Sequence, residues 1–143
     1  MTNDTLDELK SLHTRAIDAR HGYEEALEDA EGRGMTSLFS KMIVLHTTNA
    51  DELAAALSSM GQQPDESGSF MSIVHRTIMS VRSLFGGLDE SVVSGLVDGE
   101  KRNVAAYADA LGSQDISAEM RALLERQRDR IEDAISLMEQ IKA

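Results

Sequence analysis

The residue of this chain best placed to do chemistry is Glu100. It stands in Asp89–Leu111, DESVVSGLVDGEKRNVAAYADAL, a stretch with the period of an amphipathic helix. At about 100° per residue, Val93, Leu96, Val104, Tyr107 and Leu111 fall within about 40° of Glu100. A carboxyl group in the middle of an apolar stripe needs a hydrogen-bonding partner, a proton or a metal ion. Three other polar residues hold central positions on apolar stripes of their own: Tyr23, Asn49 and Gln127. Counted from the helix midpoints at about 1.5 Å per residue, Asn49, Glu100 and Gln127 lie at similar heights. The expectation is a core polar layer in which Glu100 accepts from Asn49 and Gln127, with Tyr23 or Arg20 close by. Such a layer fixes helix pairing and register at some cost in stability.

The elements that must position these residues can be read from periodicity and stop signals. A first helix is predicted over 4–31, with Thr5 and Glu8 as a capping box and Gly32-Arg33-Gly34 as its end. A second covers 36–60, with the stripe Leu38, Met42, Leu45, Asn49, Leu53, Ala56 and Met60, and Gly61 as the stop. QQPDESGS, 62–69, holds the only proline and reads as a loop. A shorter helix is predicted over 70–85, then helices over 89–111 and 117–142, the last opened by Ser117. The connections after the first and fourth predicted helices are short, so those pairs form antiparallel hairpins. The long connection after the second carries the chain back along the bundle. The fold class is therefore all-α: one domain, 1–143, a four-helix bundle with an additional short helix in the crossover.

Composition bounds the function. With 143 residues, 41% hydrophobic, the chain suits one domain with one core. A net charge of -11 makes nucleic acid and an acidic membrane surface poor partners. Absence of cysteine removes disulfides, thiolate catalysis and cysteine zinc sites. No run of apolar residues spans a bilayer and the N-terminus has no secretory pattern, so the expected location is cytoplasmic. No phosphate-binding glycine loop and no nucleophile elbow occurs. The 8 methionines suit an irregular helical core, or the lining of a site for a small apolar ligand.

Several segments carry a family resemblance: DARHGYEEALEDAE, NADELAAAL, GSFMSIVHR, DGEKRNVAAYADAL and LLERQRDRIEDAI. With them nearly the whole chain resembles a ferritin-like family of bacterial proteins of unknown function. The resemblance implies a ferritin-like bundle and a link to stress handling. In di-iron members of that fold, two helices give one Glu each and two give a Glu-x-x-His pair. Here Glu100 matches one ligand, but Gln127 stands where an acid is expected and no histidine follows His75. The second helix offers His46, Asn49 and Glu52, in the wrong order. A metal site for iron or another divalent ion would have to use His46, Glu52 and Glu100. The preferred expectation is no cofactor and no catalysis.

Outside the core, Asp18, His21, Glu25 and Glu28 lie about 140° to 160° from Tyr23 and read as a solvated face. His13 reads as an edge-of-stripe residue and His75 as an exposed one. The broad apolar face of 70–85, with Phe70, Ile73, Val74, Ile78 and Phe85, is the candidate interface for a homo-oligomer or another protein partner. Gly95 and Gly99 join it as positions where another backbone could approach closely.

Overall fold

The computed structural model describes residues 3–29, 36–62 and 90–142, and every regular element among them is helical. These are α1 (Asn3–Asp29), α2 (Thr36–Ser59), α3 (Glu90–Leu111) and α4 (Ala118–Lys142). The helix predicted over 70–85, with Phe70, Ile73, Val74, Ile78 and Phe85, lies outside the described residues, as do Gly32-Arg33-Gly34.

The chain directions follow from reach. Residues 30–35 stretch at most about 25 Å, too short to run back along the roughly 36 Å of α2. α1 and α2 are therefore antiparallel. The same limit applies to the turn between α3 and α4, where Tyr107 bonds Gln127 and Leu111 accepts from Arg121. Along α1 and α3, Thr5 meets Ser113, Arg15 meets Asn103 and Tyr23 meets Glu100, another antiparallel pairing. It follows that α2 and α3 run the same way. α1 packs on α2 and α3, and α4 packs on α3 and α2, so α1/α4 and α2/α3 are the diagonals of the bundle.

Each helix buries one stripe. Leu9 and Leu12 of α1, Phe39, Met42 and Leu53 of α2, Val93 and Val97 of α3, and Leu124, Ile131 and Met138 of α4 meet in one core. Burying a side chain of this size stabilises by about 1.5–3 kcal/mol each. The stripe of α2 is rotated from the predicted one. Phe39, His46, Ala50 and Leu57 are buried, while Leu45 and Ala56 are only half-buried. That rotation turns His46 into the core.

Two of the predicted end signals have the expected chemistry. Gly61 takes φ +77°, and Gln62 and Gly61 donate to the carbonyls of Leu57 and Ser58. This paired closure needs a left-handed residue, which glycine supplies without steric cost. Ser117 Oγ accepts from the Met120 amide at 3.1 Å and so caps α4. Thr5 differs from expectation. It lies inside α1, and its hydroxyl donates to Asp115 at 2.7 Å and bonds Ser113 at 2.8 Å. It fastens the start of α1 to the α3–α4 turn rather than capping its own helix.

Candidate functional site

Glu100 is 2% exposed, although it is a carboxylate in the middle of a helix. Its neighbours come from three helices. Tyr23 of α1 donates its hydroxyl to Oε2 at 2.7 Å, and His46 Nε2 of α2 stands 2.8 Å from the same oxygen. Asn103, one turn along α3, donates to Oε1 at 2.9 Å, and its own carbonyl accepts from Arg15 at 3.1 Å. The imidazole stacks on the Tyr23 ring, with centroids 5.8 Å apart and planes 15° from parallel. Phe39 closes the other side of Tyr23 at 6.0 Å.

Burial pushes the Glu100 carboxyl towards its neutral form, but the charge and hydrogen bond of His46 and the bonds from Asn103 and Tyr23 outweigh it. Its pKa lies below the ordinary carboxylate value. Burial and the neighbouring Glu100 charge hold the Tyr23 phenol well above its ordinary value. The proton therefore stays on Tyr23, and the carboxylate is an acceptor only. His46 Nε2 must then carry a proton and donate.

A second network lies beside this one. The Tyr107 hydroxyl donates to Gln127 Oε1 at 2.8 Å. Gln127 Nε2 donates to the Asn49 carbonyl at 3.2 Å and to Glu52 Oε1 at 3.0 Å. Arg130 completes it, reaching both oxygens of Glu52 at 2.7 and 3.2 Å and Asn49 Oδ1 at 3.0 Å. The hydrogen bond from Arg130 holds the Glu52 carboxyl below its ordinary pKa despite partial burial. Burial, then the charges of Glu100 and Glu52, raise the Tyr107 phenol. Asn49 Nδ2 is buried without a hydrogen-bond partner.

The four residues expected to form one layer are all buried, yet they divide between two networks. Tyr23 bonds Glu100, as expected, but Asn49 and Gln127 do not, because the inward turn of α2 gives the Glu100 position to His46. Arg20 pairs instead with Glu24 at 3.5 Å, and the arginine nearest the Glu100 network is Arg15. Sequence reasoning missed Asn103 and Arg130. Both stand three residues beyond a central polar residue, Glu100 and Gln127, and that spacing was the available signal.

His46 and Glu100 of the expected metal set are in contact, whereas Glu52 is engaged by Arg130 and Gln127. Among the described residues no three His, Asp or Glu side chains stand close enough to hold a metal ion. On α1, His21 Nδ1 lies 3.5 Å from Glu24, and Asp18 is half-buried rather than fully solvated. His13, expected at the stripe edge, is 1% exposed. Gly95 is exposed and Gly99 half-buried, and a Cβ at either would meet no described atom within 4 Å.

A family model described as "Domain of unknown function (DUF2383)" matches residues 4–113. The chain belongs to this family. The DUF2383 match takes in Tyr23, His46, Glu100 and Asn103, the whole first network. Gln127 and Arg130 of the second lie beyond it. No curated protein and no solved structure matches the chain. No described helix is long and apolar enough to cross a membrane.

Proposed function

We propose that the chain is a non-enzymatic, ferritin-like helical bundle that acts by self-association or by binding a protein partner. One observation carries this reading: the buried carboxylate of Glu100 is already closed by Tyr23, His46 and Asn103, side chains of its own bundle. A substrate or metal would have to displace bonds that keep the core satisfied, and breaking a buried pair costs about 3–5 kcal/mol. The polar networks are then devices of register, selecting which helices pair and at what height.

The residues do not fit a di-metal carboxylate centre. Such a centre draws carboxylates from all four helices, with Glu-x-x-His pairs on two of them. Here Glu52 carries the guanidinium of Arg130, a fixed positive charge beside the place of a second ion. α4 contributes Gln127 and Arg130 in place of acid ligands. The common direction of α2 and α3, joined by a long connection, supports the ferritin-like comparison. A role in stress handling goes with that comparison and not with any residue of the core.

Self-association is tested by light scattering on the size-exclusion peak at tens of micromolar. A dimer or larger assembly is expected; a monomer would contradict that half of the reading.

A further inference from the structure

The four helices do not treat their outward faces alike. A residue nine positions from an inward one lies about 180° round the helix. Val44 stands so to Leu53 on α2, Asp109 to Glu100 on α3 and Ser136 to Gln127 on α4, and all three are exposed. Thr14 stands so to Tyr23 on α1, yet it is only 8% exposed. Ile17, about 120° from Tyr23, is buried with it, and Asp18, about 140° away, has an oxygen hidden from solvent with no hydrogen-bond partner. The neighbouring helices account for the flanks of α1 only. α2 packs beside Ile17 through Ala50, and α3 meets α1 at Arg15 through Asn103. The line of Thr14 and Asp18 faces away from both.

Chain geometry limits what can lie there. α2 ends and α3 begins at opposite ends of the bundle, on diagonal corners. The connection between them therefore passes over α1 or over α4. Over α4 it would cross Glu125, Asp129, Glu132, Asp133 and Ser136, all exposed. Over α1 it would cross the shielded line. Residues 63–89 are long enough for either path: a 16-residue helix covers about 24 Å of the roughly 33 Å length of α3 and leaves 11 residues for its ends. The segment is also suited to α1 by composition. Phe70, Val74, Ile78 and Phe85 would meet Ile17 and the methyl of Thr14, while Arg76 and Arg82 are of opposite charge to Asp18 and Glu25.

We propose that residues 63–89 cross the bundle over α1 and dock on its outward face along Thr14, Ile17 and Asp18. One side of the segment is then taken up within the chain, and any second copy must use the other. The docking does not depend on self-association: a monomer in light scattering leaves it untouched.

The test is photocross-linking in the full chain with p-benzoylphenylalanine in place of His21, a half-buried position bordering this face. The expected product is an internal cross-link to a peptide within 63–89, formed equally at low and high protein concentration. A cross-link between chains that grows with concentration would assign the face to a second copy and overturn the proposal. So would cross-linking confined to α2 or α3. A second readout uses the lack of native cysteine: the thiol of Thr14→Cys should react at least tenfold more slowly than that of Ser136→Cys. Replacing Val74 and Ile78 by Asp should abolish that difference while far-UV dichroism keeps the bundle signal. Equal rates in the parent background would also overturn the proposal.

Discussion

At the scale of residues, Glu100 and its partners make claims that titration and substitution can check. Because the folded-state pKa of Glu100 is lowered, its contribution is complete above the ordinary value of 4.5 and is lost as pH falls through the lower, folded value. Urea unfolding from pH 7 to pH 3 should therefore show a falling stability that is flatter in Glu100→Gln; an unchanged acid slope would contradict the ionised pair. His46→Ala leaves that charge buried with one strong partner fewer and should cost about 3–5 kcal/mol in the same experiment at pH 7. The chain has only two tyrosines, Tyr23 and Tyr107, both buried and both raised. Raised phenol pKa values mean stability that is complete below pH 10 and lost above it. Phenolate absorbance should thus appear only together with loss of helical dichroism, and an earlier phenolate signal would show the rings open to water. Glu100, Tyr23 and Gln127 were legible as inward residues because each sits on a clean apolar stripe. Arg130 was not, since its stem leaves the stripe edge and only its guanidinium returns to Glu52.

Among the elements, the ends were more legible than the rotation about each axis. Gly61 and Ser117 announce their roles by residue type, because a left-handed closure favours glycine and a free first turn favours a hydroxyl. Gly61→Ala and Ser117→Ala should each lower stability by about 1 kcal/mol in thermal or urea unfolding. No loss at Gly61 would contradict its positive φ. Thr5 was misread because a helix that starts two residues earlier turns a cap into an internal residue, and its bonds then go to Ser113 and Asp115. α2 was misread in phase: Leu38, Met42, Leu45 and Ala56 draw a plausible stripe, but Phe39 and Leu57 bury more area and pull the helix round. With one sequence, the larger side chains are the better guide to phase, and here they decide that His46 faces Glu100.

For the molecule as a whole, the all-helical architecture was the most legible feature, since stripes about 25 residues long with short hairpin turns leave few alternatives. Long-range polar pairing was the least legible. Whether Glu100 meets Gln127 or His46 depends on rotations of about 40–50°, which a stripe of mixed Ala, Leu and Met leaves open. The account joins these scales in one statement: the carboxylate at the centre of the bundle belongs to the protein's own hydrogen bonds. Elemental analysis of protein purified without a metal-binding tag, repeated after aerobic Fe(II) addition and desalting, tests it most directly. The expected result is no stoichiometric metal in either sample. About two iron atoms per chain, lost on Glu100→Ala, would contradict the account and make the buried cluster a metal centre.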